Sequence, residues 1–171
     1  MAREHRYDVT VEWTGNRGAG TESYRAYGRE HLISAEGKPP ILGSSDPAFR
    51  GDADRWNPEQ LLVAAVSACH KLWYLHLASE AGISVLAYRD EAIGKMVEDA
   101  KAGDRITEVI LRPHVTIRAT DDADLALRVH HDVPARCAIA NSVTCVIRQD
   151  PVIEQSSPSP LEGEGVGAAD G

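Results

Sequence analysis

Two cysteines stand where their thiols could do chemistry. Cys69 falls near the middle of an apolar stretch typical of a helix, and Cys137 follows a second helical stretch. A thiolate is a nucleophile, and a peroxide oxidises it to a sulfenic acid that a second thiol can convert into a disulfide. The two residues therefore indicate redox chemistry as one candidate role.

Each feature also has a purely structural interpretation. Free cysteine often behaves as a small buried hydrophobe, and Glu59, in the first turn of the first helix, would be favoured there as a capping charge alone. His70 points about 100° away from Cys69 around a helix. Cys145 lies in an apolar run, 143–147, that predicts a strand, and we expect it to be the least reactive thiol. A disulfide needs Cα atoms within about 7 Å, and the residues alone leave open which pair meets that condition.

Composition limits the class of protein. The 171 residues, 43% of them hydrophobic, suit one domain with a tail. A net charge of -8 without a basic stripe argues against partners such as nucleic acid or an anionic membrane surface. No apolar run is expected to be as long as a membrane span, and the N-terminal residues do not resemble a signal peptide. Three cysteines favour a cytoplasmic protein over a secreted disulfide scaffold.

The N-terminal part predicts strands and a loop. Apolar residues alternate with polar ones from residue 6 to residue 13, which indicates a strand with one buried face. A second strand is predicted through Tyr24 and Tyr27, and a third around His31 to Ser34. Residues 36 to 56 are rich in proline and glycine and predict a loop.

A long helix is predicted to begin sharply at Asn57. Asn57 suits the N-cap, Pro58 the first helical position, and Gln60 can close a capping box. Residues 61 to 78 are apolar on nearly every face, which predicts a buried helix. Gly82 is the expected stop signal.

The remainder predicts a hairpin, a helix and a last strand. The hairpin spans 85–118 with its turn at Gly103 and Asp104, and Pro113 is expected at an edge or bulged position. Asp121 or Asp122 would cap the second helix, and the last strand would run near Ser142 to Ile147. One domain over 1–153 and a disordered acidic tail over 154–171 are predicted.

Two motifs resemble those of a known family. The segment from Asn57 to His70, with Asn-Pro-Glu followed by apolar residues, alanines and a cysteine, resembles the central-helix motif of the OsmC/Ohr family of peroxide-reducing proteins. The segment from Cys137 to Ser142 resembles the family's second cysteine motif. The resemblance covers about residues 5 to 153. It implies an α+β fold, with antiparallel sheets wrapped around a buried central helix in an intertwined homodimer.

The resemblance also implies a mechanism. Cys69 would attack an organic hydroperoxide, Cys137 would resolve the sulfenic acid as a disulfide, and an external dithiol would restore both thiols. Glu59 would orient an arginine beside the nucleophile. Arg50 is our first choice for that arginine and Arg17 the second. No cofactor is implied.

Two alternatives remain open. The protein could instead bind a metal through Cys69 with His70, and through His130 and His131 with Cys137. The spacing of these residues matches no structural zinc pattern. A non-catalytic protein could instead keep the fold around a small-molecule cleft, because fold does not fix function.

Overall fold

The computed structural model describes residues 3–157. Contacts within the chain define two compact units, the first ending at Leu62 and the second beginning at Val63. Each unit is described by itself. Most of the predicted acidic tail lies outside the described residues, while its first two positions, Glu154 and Gln155, belong to a strand.

The first unit contains a three-stranded antiparallel sheet. Its strands are β1 (Thr10–Trp13), β2 (His31–Ser34) and β3 (Ile41–Gly43), in the order β1-β2-β3. β2 confirms the prediction around His31, and β3 together with a 3-10 turn at Pro47–Phe49 occupies the predicted loop.

The strand predicted through Tyr24 and Tyr27 is wrong. Both residues lie in a series of turns. The Arg29 guanidinium lies over both rings, 4.3 Å and 4.2 Å from their centroids, and donates hydrogen bonds to the carbonyls of Tyr24 and Tyr27. The two tyrosines therefore enclose a cation instead of alternating along a strand.

The helix α1 (Pro58–Glu80) begins as its sequence predicts. The Gln60 N–H donates to Oδ1 of Asn57 at 2.8 Å, and the Asn57 N–H donates to Oε1 of Gln60 at 3.2 Å. This reciprocal pair is the capping box. After Glu80 the chain turns at Gly82, whose φ of 77° favours glycine, so the stop signal is also confirmed.

In the single chain, α1 buries one face only. The buried residues are spaced four apart: Val66, His70, Tyr74 and Ala78. Leu72, on another face, is 61% exposed. The expectation of burial on nearly every face is therefore wrong for this chain taken alone.

The length of α1 also corrects an expectation. By length and composition it is apolar enough to cross a membrane, although no apolar run of that length was expected. The core helix of a folded protein passes the same test, so the observation is weak evidence for a membrane span.

The second unit is built on the predicted hairpin. Its strands are β4 (Val85–Asp90), β5 (Ile93–Val97), β6 (Arg105–Leu111), β7 (Pro113–Ile117), β8 (Val146–Gln149) and β9 (Val152–Gln155). The arms of the hairpin are each interrupted, and they pair as β4 with β7 and β5 with β6 around a turn that contains Gly103. Two more strands join in parallel, β8 beside β6 and β9 beside β7, which gives sheets β5-β6-β8 and β4-β7-β9. The α+β class is confirmed, with mixed sheets in this unit.

Two strand predictions need correction. Pro113 is not at an edge: it opens β7, the central strand of its sheet, and faces Asp90 of β4. The first position of a strand tolerates the missing N–H. The last predicted strand is replaced by a 3-10 turn at Ala140–Ser142, a bend containing Cys145, and then β8.

The helix α2 (Ala123–Asp132) packs on the same core as α1. Of the two candidate caps, the Asp122 side chain accepts from the Leu125 N–H at 2.9 Å, while Asp121 accepts from the Ser84 N–H. Buried residues of α1, the segment after α1, β7, α2 and the turn after α2 form one cluster that reaches Cys137. They are Tyr74, Ala78, Ile83, Val115, Ile117, Ala126, Val129 and Val133.

Candidate active site

Cys69 and Cys137 are bonded to each other. Cys69 is half-buried on α1, Cys137 is buried in the turn after α2, and their Cα atoms are 5.9 Å apart. The turn is held by the Cys137 N–H, which donates to the carbonyl of Val133 at 3.0 Å. The two predicted reactive cysteines are therefore the ones that the fold brings together.

The Cys137 sulfur accepts a backbone hydrogen bond. The Ala140 N–H donates to Sγ at 3.3 Å, from the 3-10 turn that follows Cys137. This contact fixes the position of the Cys137 sulfur relative to the turn.

A cavity of about 210 Å³ lies beside the disulfide. Cys137 and the free thiol Cys145 both line it. Much of the remaining lining is apolar, from Val66, Leu111 and Ile147, and His70 adds an imidazole.

His70 and His130 form a buried pair that the sequence analysis missed. Nε2 of His70 and Nδ1 of His130 are 2.9 Å apart, and the ring of Tyr74 stacks on His130 at 3.9 Å. Burial lowers the pKa of His70 to about 4, with Asp90 opposing the shift. Burial, with the charges of His70 and His131, lowers the pKa of His130 to about 3. Both imidazoles are therefore neutral at pH 7.

A sequence signal for part of this pair exists. His70 lies four residues after Val66 and four before Tyr74, on the buried row of α1. That spacing places it toward the core, but its partner lies 60 residues away in the sequence. The pairing itself depends on tertiary packing.

The predicted arginines are not joined to Glu59. Oε2 of Glu59 is buried and accepts no hydrogen bond from residues 3–157. Arg17 makes an ion pair with Glu30 at 2.5 Å. Arg50 is exposed, with its guanidinium carbon 5.9 Å from the Tyr24 ring centroid.

The cysteines and histidines do not form a recognisable metal site. Within residues 3–157, no three or more His, Cys, Asp or Glu side chains are placed to hold one ion. Cys69 and Cys137 are bonded to each other, and Nε2 of His70 is directed at His130. The metal-binding hypothesis thus lacks a ligand set in this part of the chain.

Comparison with known proteins supplies the family. A family model described as OsmC-like protein matches residues 51–150, more than half of the chain. The chain belongs to the OsmC-like family. The resemblance inferred from the two cysteine motifs is thereby confirmed. A search of curated proteins found no match to this OsmC-like chain.

Solved structures share the fold of this OsmC-like protein. An OsmC-like protein of unknown function from Vibrio cholerae is 27% identical, with a TM-score of 0.79 over 87% of this chain and 100% of its own. An organic hydroperoxide resistance protein from Elizabethkingia anophelis is 16% identical, with a TM-score of 0.61 over 90% and 100%. One from Legionella pneumophila is 16% identical, with a TM-score of 0.63 over 88% and 99%. At these last two identities the likeness concerns the fold alone.

Proposed function

We propose that this OsmC-like protein is a thiol-dependent peroxidase that reduces organic hydroperoxides. The observation that carries the proposal is the bond between Cys69 and Cys137, the cysteines of the two family motifs. Two structural relatives are named organic hydroperoxide resistance proteins, which agrees with this substrate class.

The proposed reaction has three balanced steps. The Cys69 thiolate attacks the hydroperoxide, forms a sulfenic acid and releases an alkoxide that takes up a proton to become the alcohol. The Cys137 sulfur then attacks the sulfenic sulfur, and the disulfide forms with loss of water. An external dithiol reduces the disulfide by two exchange steps and leaves as its own cyclic disulfide.

The residues around Cys137 suit the second step. The Ala140 N–H, 3.3 Å from Sγ of Cys137, holds this sulfur in the turn that faces Cys69. Burial of Cys137 also keeps dissolved thiols away from its own sulfur.

The remaining elements of the proposal concern the surroundings of the site. Glu59, with a buried oxygen that lacks a partner among the described residues, would orient an arginine. Arg50 is the first choice for that arginine and Arg17 the second.

We also propose a homodimer, which would cover apolar residues of α1 such as Leu72. A cytoplasmic location would supply the reductant.

The proposal is tested by single-turnover kinetics with one equivalent of cumene hydroperoxide and no reductant. Cys69→Ser should lower hydroperoxide consumption at least about 100-fold, because it removes the nucleophile. Cys137→Ser should still consume the peroxide but accumulate a sulfenic acid on Cys69 that dimedone traps. Full consumption by Cys69→Ser would refute the peroxidase.

Cys145→Ser is the matched control. It removes a thiol from the same cavity without touching the bonded pair. We expect it to consume the first equivalent at the wild-type rate. A loss equal to that of Cys69→Ser would place the nucleophile at Cys145 and contradict the proposed roles.

A further inference from the structure

The third thiol shares a cavity with the disulfide. We propose that Cys145 is a relay cysteine: its thiolate attacks the Cys137 sulfur and moves the disulfide from Cys69–Cys137 to Cys137–Cys145. The benefit to turnover rests on the proposed peroxidase activity. The exchange itself rests only on the placement of the three sulfur-bearing residues.

The cavity is the first observation. Cys137 and Cys145 both line the same space of about 210 Å³ beside the disulfide. Cys137 belongs to one core cluster, and Cys145 packs against another. Ile139 packs against both clusters. The shared cavity is the space through which the Cys145 thiol would approach Cys137.

Local backbone structure is the second observation. Cys145 is expected to be the least reactive thiol because its sequence predicts a strand, but Val143, Thr144 and Cys145 belong to no helix or strand. Seven residues separate the two cysteines, so closing the loop costs little chain entropy. The proposed exchange requires the segment before β8 to bring the two Cα atoms within the roughly 7 Å that a disulfide needs.

Burial gives the exchange a purpose. Cys137 is 1% exposed, so an external thiol has almost no access to its sulfur. Cys145 is only partly buried. In the Cys69–Cys137 disulfide a dissolved reductant reaches only the sulfur of the half-buried Cys69. Moving the disulfide to Cys137–Cys145 gives the reductant a second partly buried sulfur to attack, and it returns Cys69 to the reduced form.

The step balances without any other reactant. The Cys145 thiol gives up a proton, and its thiolate forms a bond with Sγ of Cys137. The Cys69–Cys137 bond breaks, and its electron pair leaves on Cys69 as a thiolate. The proton lost by Cys145 can then be taken up by Cys69. One disulfide and one free thiol are present before and after the exchange.

The decisive experiment uses the Cys69→Ser variant, which retains only Cys137 and Cys145. The protein is oxidised with one equivalent of diamide, blocked with N-ethylmaleimide and digested with trypsin. Both cysteines fall in one tryptic peptide, 137–148, because Arg136 and Arg148 flank it. We expect this peptide mainly without label and lighter by two hydrogen atoms. Recovery of a doubly labelled peptide, or only of intermolecular dimers, would overturn the relay.

Two further variants test whether the exchange is specific to Cys137 and whether it speeds reduction of the disulfide. In Cys137→Ser, the same treatment should leave Cys69 and Cys145 largely unlinked, and an equally abundant Cys69–Cys145 bond would overturn the specific exchange. In the oxidised full chain, Cys145→Ser should slow reduction by dithiothreitol at least threefold, and an unchanged rate would overturn the relay. Diamide oxidation proceeds whether or not a hydroperoxide is the substrate. A negative result here is thus distinct from failure of the peroxidase.

Discussion

Glu59 carries a buried carboxylate oxygen that accepts no hydrogen bond from the described residues. Burying an ionised carboxylate without a partner costs free energy, so such an oxygen calls for a cation or a donor. Arg17 is already paired with Glu30. Arg50 makes no ion pair within residues 3–157, and its φ of 67° holds its backbone in the left-handed region. Since Arg17 is already engaged with Glu30, Arg50 is the arginine that we propose as the partner of Glu59.

Arginine substitutions test this assignment. In the proposed peroxidase we expect Arg50→Ala to lower kcat/KM for cumene hydroperoxide about 100-fold, because the variant would lack the charge proposed to stabilise the thiolate and the departing oxygen. Arg17→Ala should lower it less than about threefold, since Arg17 is engaged with Glu30. Steady-state kinetics with saturating dithiol would measure both. A greater loss in Arg17→Ala would reverse the assignment.

A double variant separates partnership from independent effects. If Arg50 acts through Glu59, then Arg50→Ala combined with Glu59→Gln should lose little more than either single variant. Losses that multiply would mean that the two residues act independently. Circular dichroism of all three variants would establish that α1 still forms.

At the residue scale, the sequence was informative where chemistry depends on residue type. The thiols of Cys69 and Cys137 were selected from motifs alone, and they are the bonded pair. Cys145 is expected to be the least reactive thiol because its sequence predicts a strand, but the structure has a bend there, before β8. Spacing along the chain could not predict that Cys137 and Cys145 share a cavity, because a cavity depends on every element around it.

At the element scale, the His70–His130 pair joins α1 to α2 through neutral imidazoles. Their pKa values are lowered to about 4 and about 3, chiefly by burial. Above pH 6.5 both are neutral in the folded and unfolded states. Below pH 6.5 the unfolded chain binds protons that the folded chain does not. The free energy of unfolding therefore decreases as the pH is lowered, until the folded pKa values are reached.

His130→Phe should reduce this acid sensitivity. Each histidine that stays neutral in the folded protein should lower the free energy of unfolding by about 2 kcal/mol between pH 7 and pH 5, at about 1.4 kcal/mol per pH unit below the unfolded pKa. The wild-type free energy of unfolding should therefore fall by about 2 kcal/mol more than that of His130→Phe over this interval. Urea unfolding at both pH values, with the disulfide intact, measures the difference. Phenylalanine keeps a ring against Tyr74.

The control for that measurement is His76→Phe, at an exposed position of the same helix. It removes an imidazole from α1 and leaves the His70–His130 contact in place. If His76→Phe and His130→Phe flattened the curve equally, the effect could not be assigned to the buried pair. Asp90 and His131 remain in every variant, so their charges cancel in the comparison.

Elements were predictable where short-range chemistry defines them. Asn57 and Gln60 set the start of α1 through contacts three residues apart. The strand assigned to Tyr24 and Tyr27 failed because Arg29 gathers both rings in a turn. β8 and β9 depend on parallel pairing with distant strands, which local patterns do not encode.

At the scale of the whole molecule, α1 is unusual for a core helix. Its 18-residue apolar window is only 22% buried in the single chain. Leu72 is 61% exposed and Leu86, in β4, is 58% exposed. Large apolar side chains left in water cost free energy that association with a second copy would recover. The expectation of a fully buried helix, wrong for the chain alone, would be met in the proposed homodimer.

Sedimentation equilibrium tests the homodimer. With a chain of 18.5 kDa, a dimer weighs 37 kDa, from 2 × 18.5. We expect that mass at micromolar concentration, and we expect Leu72→Glu to weaken association at least about tenfold by placing a charge on an apolar surface. Lys101→Glu, in the exposed turn between β5 and β6, is the control and should remain dimeric. A wild-type mass near 18.5 kDa at every concentration would contradict the dimer and leave α1 open to water on this face.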